Sequence, residues 1–222
     1  MLHVILAEAE IELIPPELWN ARGIVSYAKK RGKPPGKCLL DSNLHHSTMR
    51  DLPQQERRGR PDIAHITLLY LLGSVANHEG MLRVYVHTRN DEVIYVKPET
   101  RLPRNYNRFV GLIEKLYQVE EDLFLMMRKL TVEDLVREIK PSRTLLMDEG
   151  GTLVSPGGLA DRMRDNLCVV IGAFPHGGYN KSYDFADERI SLYEKPLETW
   201  TIASKITCLY EYTVLRKLLG NG

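Results

Sequence analysis

The 222-residue sequence has no long hydrophobic run and only three cysteines. No apolar stretch approaches the roughly 20 residues that a membrane-spanning helix needs, and the N-terminus reaches the acidic Glu8 too early for a signal peptide. Cys38, Cys168 and Cys208 are an odd and widely separated set, so we expect buried, reduced thiols rather than disulfides or a metal site. These absences predict a cytoplasmic protein without a membrane partner.

The sequence also lacks an excess of charge of either sign. Its formal net charge is +1 and its pI is about 7.7, which excludes an indiscriminate polycation. The charges are nevertheless segregated: residues 18–40 contain six lysines or arginines and no acid, residues 101–108 contain three arginines and no acid, and acids are concentrated in residues 114–138. Such segregation can attract a phosphate backbone, although a solvated surface would have the same composition.

Several common site motifs are missing as well. No Gly-x-Gly-x-x-Gly follows the first predicted strand, and the sequence has neither a P-loop nor a Gly-x-Ser-x-Gly elbow. The adjacent His45 and His46 point in divergent directions on any regular backbone and have no cysteine or His-x₃-His partner nearby. We therefore expect no metal site, and we expect these two histidines to line an RNA or dimer surface.

The hydrophobic patterns that are present indicate an α/β fold. Four or five short apolar strands separated by helices predict a sheet with mostly parallel connections, in which residues 3–9 are central or nearly so. Strand-like stretches are residues 3–9, 38–41, 81–88, 93–96, 144–147, 168–172 and 189–192. Helix-like stretches are residues 17–31, 62–78, 107–116, 120–130, 131–139 and 155–165, followed by a long closing helix; residues 42–59 read as a long polar loop.

The C-terminal stretch has the features of a ligand-binding edge. Gly172, Gly177 and Gly178 bracket a loop that follows the buried strand 168–172. Open α/β sheets bind ligands at the carboxyl ends of their strands, and glycines let the backbone approach a ligand closely. The residues alone leave the identity of the ligand open.

Three motifs together resemble a known family. They are Asp-Ser-Asn-Leu-His-His at residues 41–46, Glu-Arg-Arg-Gly-Arg-Pro-Asp at 56–62 and Gly-Ala-Phe-Pro-His-Gly at 172–177. With the order of strand, glycine loop, strand, turn and helix that follows, they resemble the archaeal and eukaryotic ribosome-biogenesis family of SPOUT-class RNA methyltransferases. The resemblance covers nearly the whole chain. It implies a single domain over residues 1–222, with a C-terminal trefoil knot at about 144–219 and an inserted strand and helix excursion at about 81–140.

The resemblance also implies a reaction. Members of this family work as homodimers and transfer a methyl group from S-adenosyl-L-methionine to N1 of a pseudouridine in small-subunit (16S) rRNA, leaving S-adenosyl-L-homocysteine. The cofactor is held in the knot loops, mostly by backbone groups. Carried over to this chain, the implied cofactor-binding residues are Met147, Gly172, Gly177, Ile190, Ser191, Leu192, Tyr193, Glu194, Lys195, Pro196 and Leu197.

The implied catalytic residues are Arg60 and Asp62. N1 of pseudouridine carries a proton that must leave before this nitrogen can accept a methyl group, and an arginine beside the base would favour the deprotonated ring. By resemblance Arg60 contacts the rRNA and Asp62 holds Arg60 in place. Asp62 as a general base is a weaker alternative, because a carboxylate paired with a cation is a poor base, and a helix-capping role for Asp62 is compatible with either.

The implied RNA-binding residues are two clusters of arginines. The clusters are Arg57, Arg58 and Arg60, and Arg101, Arg104 and Arg108. Tyr106 and Phe109 are interleaved with the second cluster, so phosphate contacts and base stacking are both expected there. Two alternatives stay open: a non-catalytic rRNA-binding assembly factor, and a methyltransferase that acts on a tRNA pseudouridine.

Overall fold

In the computed structural model, which describes residues 1–216, seven strands form one mixed sheet. The strands are β1 (Leu2–Ala9), β2 (Leu82–Thr88), β3 (Glu92–Val96), β4 (Leu125–Lys129), β5 (Arg143–Leu153), β6 (Leu167–Gly172) and β7 (Glu188–Ser191). The helices are α1 (Arg22–Arg31), α2 (Ser42–His45), α3 (Pro61–Leu72), α4 (Val75–His78), α5 (Tyr106–Val119), α6 (Val132–Ile139), α7 (Pro156–Ala160) and α8 (Thr199–Tyr210), the last continued by a π-helical turn at Glu211–Leu215.

The strand order places β1 in the middle of the sheet. The order is β4-β3-β2-β1-β6-β5-β7. The four pairings β2–β1, β1–β6, β6–β5 and β5–β7 are parallel. The pairings β2–β3 and β3–β4 are antiparallel. The predicted mostly parallel α/β sheet with a central first strand is therefore confirmed. It has seven strands rather than four or five: six of the strand-like stretches, together with β4.

The central strands are apolar on both faces because helices or loops cover each face. On one face Val4 and Leu6 of β1 pack in a core that includes residues of α3, α5 and α8. On the other face Ile5 and Ala7 pack against α6 and the buried Tyr183. Strands buried on both faces read as continuous hydrophobic runs, which is why β1 and β6 could be recognised in the sequence.

Two predicted elements are wrong in type. Residues 120–130, expected to be helical, contain β4, which pairs with β3 from Glu92–Lys129 to Val96–Leu125. Pairing along the edge of the sheet overrides the helix propensity of Leu125 and the two methionines after it. Residues 38–41, expected to be a strand, contribute an isolated bridge between Leu39 and Leu13.

Other predicted elements have different boundaries. Helix 17–31 begins at Arg22, and helix 62–78 is divided after Leu72 into α3 and α4. The polar loop 42–59 begins with α2, which the Asp41 carboxylate caps by accepting from the Asn43 N–H at 2.9 Å. The closing helix is described as far as Arg216, so the last part of the knot region, residues 217–219, lies outside the described residues and the knot stays a prediction.

The cysteines follow the expectation only in part. All three thiols are free, and Cys38 and Cys168 are buried as predicted. Cys208 is exposed, because it lies on the outer face of α8 rather than on its core face.

In the described part of the chain, every helix is too short or too polar to cross a membrane.

A close contact between β5 and β7 shapes the sheet edge near the glycine loop. Met147 and Thr152 of β5 both pair with Ile190 of β7, and residues 148–151 bulge out between them. A Cβ atom on Gly151 would lie 2.7 Å from the carbonyl carbon of Arg189 and 2.7 Å from the amide nitrogen of Ile190. Only glycine lets the two backbones approach this closely.

Replacing Gly151 with alanine should therefore lower the free energy of unfolding by about 1–3 kcal/mol, because β7 would have to move away from β5. Urea denaturation followed by circular dichroism measures the change. Gly150→Ala is the matched control, since a Cβ atom there would meet Asp148 Oδ1 at 3.7 Å, an ordinary contact. Equal losses in the two variants would contradict the explanation.

Candidate functional site

A cavity of about 180 Å³ opens beside the carboxyl ends of β6 and β7. Three segments form its wall: the bend of β5, the glycine loop after β6, and the turn between β7 and α8. The lining residues are Met147, Asp148, Glu149, Gly172, Phe174, Pro175, His176, Gly177, Gly178, Tyr179, Ile190, Ser191, Leu192, Tyr193, Lys195, Pro196, Leu197, Thr199 and Ile202. The structure thus brings together segments from three strands at one edge of the sheet.

The predicted cofactor residues converge on this cavity. Each of them except the exposed Glu194 is part of the wall. Sequence reasoning missed the wall residues Asp148, Glu149, Tyr179, Thr199 and Ile202. Asp148 and Glu149 follow the predicted strand 144–147 directly, so their position at its carboxyl end was the available signal.

Side chains hold the backbone of the wall in place. The Thr199 hydroxyl donates to the Gly172 carbonyl at 2.7 Å, and the Tyr179 hydroxyl donates to the Met147 carbonyl at 2.8 Å. Burial raises the pKa of Tyr179, so its hydroxyl stays protonated and keeps its role as a donor. Gly177 adopts a φ of +80°, a conformation that favours glycine.

Three buried glutamates lie behind this wall. Glu8 is the penultimate residue of β1, and Glu10 and Glu12 follow the strand at every second position. We call these three residues the acidic ladder; each is at most 4% exposed. A buried carboxylate is costly unless a cation pairs with it. Three arginines meet this requirement, and their shortest contacts are Arg57 with Glu8 and with Glu10 at 2.6 Å, Arg58 with Glu12 at 2.7 Å, and Arg89 with Glu10 at 2.6 Å.

This ladder corrects the predicted roles of Arg57 and Arg58. Arg57 is 5% exposed, and Arg58 donates from two of its nitrogens to the two carboxylate oxygens of Glu12. Guanidinium groups buried in ion pairs are not available to phosphates of an RNA. We therefore remove both residues from the predicted RNA surface.

Glu8 also anchors the segment that follows the glycine loop. Its carboxylate accepts from the Asn180 N–H at 2.9 Å, from the Lys181 N–H at 3.1 Å and from the Tyr183 hydroxyl at 3.2 Å. With the ion pair to Arg57, one buried carboxylate thus holds three parts of the chain. The far end of the glycine loop is attached to the central strand through this residue.

Arg60 and Asp62 lie at the start of α3 and form a two-pronged ion pair. Arg60 Nε donates to Asp62 Oδ1 at 2.9 Å, and Nη2 donates to Oδ2 at 2.8 Å. The hydrogen bonds that Arg60 donates to Asp62 raise the pKa of Arg60, and the negative charge of Glu198 adds to the shift. The Arg60 N–H donates to the Glu10 carbonyl at 3.0 Å, and Arg57, three residues earlier, donates to the carbonyl of the cavity residue Gly178 at 2.6 Å, so the segment that carries Arg60 lies against the glycine loop. The Arg60 and Asp62 side chains are 31% and 24% exposed, so the pair is open to solvent on one side.

The second arginine cluster lies on the surface. Arg101, Arg104 and Arg108 are exposed. Helix α5 begins at Tyr106 and is capped by Asn105, so Arg104 precedes the helix and does not share a helical face with Arg108. From the basic stretch 18–40, Arg31 and Lys33 are instead used inside the fold, paired with the buried Glu114 at 2.5 and 2.7 Å.

The aromatic residues of this cluster do not match the predicted base-stacking role. Phe109 is fully buried and stacks on His65, with ring centroids 4.3 Å apart. Tyr106 donates its hydroxyl to Asp41 Oδ2 at 2.6 Å. Both rings therefore serve the packing of α5 against α3 and the loop before α2.

His45 is likewise not on a surface. Its Nδ1 accepts from the Asp41 N–H at 3.0 Å, and burial lowers its pKa, while the neighbouring His46 is exposed. The prediction of a shared surface role is wrong for His45. Within residues 1–216, no three His, Cys, Asp or Glu side chains converge as a metal site would require.

Comparison with known proteins decides the family. Residues 4–211 match the family model described as EMG1/NEP1 methyltransferase. The chain belongs to this family. A ribosomal RNA small subunit methyltransferase Nep1 from Thermococcus sibiricus is 45% identical over 221 residues, covering 97% of this chain and 100% of the relative. The protein of the same name from Pyrococcus furiosus is 47% identical, covering 97% of this chain and 98% of the relative.

A solved structure of an EMG1/NEP1 relative matches the fold as well. Archaeoglobus fulgidus Nep1 bound to S-adenosylhomocysteine superimposes with a TM-score of 0.85 at 36% identity, covering 95% of this chain and 97% of that chain. The predicted family, the SPOUT-type mixed α/β fold and the enzyme class, a methyltransferase, are thereby confirmed. The predicted cofactor agrees with the ligand of that relative.

Replacing Glu8 with glutamine should release the segment after the glycine loop. The NH₂ group of the glutamine would face the N–H groups of Asn180 and Lys181, which need an acceptor. Arg57 would also lose one of its two carboxylate partners, so we expect the free energy of unfolding to fall by about 3–5 kcal/mol. Hydrogen exchange at Asn180 and Lys181 should accelerate more than exchange in α3. Glu12→Gln is the control, because it breaks a buried pair with Arg58 elsewhere in the ladder. Equal acceleration at Asn180 and Lys181 in both variants would refute the anchoring role of Glu8.

Proposed function

We propose that the protein transfers a methyl group from S-adenosyl-L-methionine to N1 of a pseudouridine in small-subunit (16S) rRNA, in support of ribosome biogenesis. The observation that carries this proposal is that the segment bearing the Arg60–Asp62 pair is attached to the glycine loop of the cavity, through the hydrogen bond from Arg57 to the Gly178 carbonyl. The names of the relatives support rRNA as the substrate, and the S-adenosylhomocysteine in the Archaeoglobus protein supports the methyl donor. Since rRNA is the substrate, we expect the protein to work in the cytoplasm where subunits are assembled.

The residues of the cavity fit this methyl donor. Apolar side chains such as Met147, Ile190 and Leu192 suit an adenine ring, while the main chain of the glycine loop and of the turn 190–197 supplies polar groups without side-chain bulk. Asp148 and Glu149 add carboxylates that suit the cationic sulfonium and ammonium groups. When bound, the cofactor supplies the electrophilic methyl group.

The chemistry requires N1 of the base to lose its proton. The N1–CH₃ bond forms as the bond between sulfur and the methyl group breaks, and the N1 proton passes to water. A guanidinium beside the ring stabilises the negative charge that develops when this proton leaves. We assign this role to Arg60, which Asp62 holds by two hydrogen bonds. Asp62 is a poor base in this arrangement, because both of its oxygens accept from Arg60.

The RNA surface in this proposal consists of Arg60 together with Arg101, Arg104 and Arg108. The last three are exposed and lie in a stretch without acids, as phosphate-binding arginines should. A target in a single-stranded loop could be turned out toward the cavity at modest energetic cost. Arg57 and Phe109 are left out of this surface because they are buried, and Arg58 because its guanidinium is paired with Glu12.

Replacing Arg60 with alanine should lower the methylation rate by about 100-fold even when RNA is saturating, because a donor to the transition state is lost. Arg108→Ala is the matched control: it should weaken RNA binding and recover most of its rate at saturation, because it removes a phosphate contact only. Single-turnover assays on an rRNA fragment that contains pseudouridine, analysed by mass spectrometry, measure both rates.

The same assay separates the alternatives. Unchanged turnover of Arg60→Ala at saturation would make Arg60 a docking contact. RNA binding by the wild type without any methyl transfer would favour the assembly-factor role. Mass spectrometry of rRNA and tRNA from a deletion strain would reveal a tRNA substrate.

We further propose that the chain is one domain with a C-terminal knot and that it works as a homodimer. An apolar groove of about 530 Å³ supports the dimer. Its lining includes Tyr70 from α3, Leu159 from α7, Cys208 and Leu209 from α8, and Tyr212. Tyr212 is 66% exposed and Tyr70 is 40% exposed, and large exposed side chains gathered in one apolar groove are typical of an interface.

Replacing Tyr212 with glutamate should convert the dimer to monomers, since a charge would be buried without a partner. Light scattering coupled to size-exclusion chromatography measures the mass. Leu123→Glu is the control, because Leu123 is also exposed, at 72%, and lies away from this groove. A wild-type protein that elutes as a monomer, or a Tyr212→Glu variant that stays dimeric, would contradict the proposed interface.

A further inference from the structure

One buried arginine connects the acidic ladder with the wall of the cavity. Arg57 Nε donates to Glu10 and Nη2 donates to Glu8, each at 2.6 Å. Its remaining nitrogen, Nη1, donates to the Gly178 carbonyl at 2.6 Å. The guanidinium carbon also lies 3.8 Å above the centre of the Phe174 ring.

Two of these partners belong to the cavity itself. Phe174 and Gly178 both line it, and Gly177 between them adopts a φ of +80°. A loop with two consecutive glycines has many accessible conformations, and ordering it costs conformational entropy. Arg57 restrains both ends of the stretch 174–178, by stacking on one and by hydrogen bonding to the other.

The shape of the guanidinium matters for this task. A planar group can donate in several directions within its plane and stack through its face at the same time, whereas a lysine ammonium has no planar face to stack while its N–H groups donate to Glu8, Glu10 and Gly178. The carboxylates of Glu8 and Glu10 fix the orientation of the plane. The Phe174 ring and the Gly178 carbonyl then have one position in which both contacts are made.

We propose that Arg57 is a positioning residue that holds the glycine loop in the conformation that receives the methyl donor. This inference rests on the proposed function of the cavity. It assigns Arg57 to cofactor affinity, although the neighbouring Arg60 of the same motif is assigned to the RNA.

Arg58 provides a matched comparison. It is the next residue in the chain, its side chain is only 11% exposed, and it forms a two-pronged pair with Glu12, but its hydrogen bonds go to the ladder and not to a cavity residue. A purely structural role would make the lysine variants of both arginines equivalent. A positioning role separates them.

The test compares Arg57→Lys with Arg58→Lys, using calorimetry with S-adenosylhomocysteine and steady-state kinetics. For Arg57→Lys we expect the Kd for S-adenosylhomocysteine and the KM for S-adenosylmethionine to rise by about tenfold, with an unchanged Kd for RNA. For Arg58→Lys both cofactor constants should stay at the wild-type values, even where thermal unfolding shows a similar loss of stability.

A second variant separates Arg57 from the charge that it neutralises. Removing Arg57 alone would leave Glu8 buried without its cation, so Arg57→Met is combined with Glu8→Gln and compared with Glu8→Gln alone, while Glu10 keeps its pair with Arg89. The double variant, which we call the neutral variant, should bind S-adenosylhomocysteine more weakly than Glu8→Gln does, with RNA binding intact; equal affinities in these two variants would contradict the positioning role.

The outcomes are distinguishable. A wild type that does not bind S-adenosylhomocysteine would overturn the proposed function itself. A wild type that binds it, with Arg57→Lys or the neutral variant binding equally well, would overturn the positioning role alone. An equal loss in Arg58→Lys, or a loss of RNA affinity in Arg57→Lys, would overturn it too.

Discussion

The burial of three carboxylates at the end of the central strand is the constraint on which the site depends. Glu8, Glu10 and Glu12 leave β1 in a region that excludes water, and each must find a cation there or cost several kcal/mol. Arg57 and Arg58 meet much of this demand, so the segment around residues 54–62 must lie against the end of β1. That segment carries Arg60, which is thereby brought to the edge of the sheet where the glycine loop emerges.

The same constraint joins parts of the chain that are far apart in sequence. Glu8 accepts from the main chain of Asn180 and Lys181, and Arg57 donates to the Gly178 carbonyl. The wall of the cavity therefore rests on side chains from β1 and from the segment before α3. Removing one charge from this network should therefore disturb the wall of the cavity, because a buried ion left without its partner costs far more free energy than an unpaired surface charge.

Those features of the fold and the site that depend on local pattern could be predicted from the sequence. The alternating β2 and β3, the continuous apolar β6 and the glycines after it each carry their signal within a few residues. The roles of Arg57, Phe109 and His45 could not be predicted, because burial is decided by partners from other elements: Glu8 and Glu10 for Arg57, and the His65 ring for Phe109. The strand β4 was missed for the same reason, since its partner β3 decides its conformation.

The Glu-Arg-Arg-Gly-Arg-Pro-Asp motif thus divides its arginines between two kinds of work. Arg57 and Arg58 are paired with the carboxylates of the ladder, so their guanidinium groups form their hydrogen bonds within the protein. Arg60 is paired with an acid only two residues away and keeps 31% of its side chain exposed, so one side of its guanidinium stays open to solvent, as the role proposed for it requires. A local pair of this kind orients a cation without burying it, which is what a group that must stabilise a transient negative charge requires.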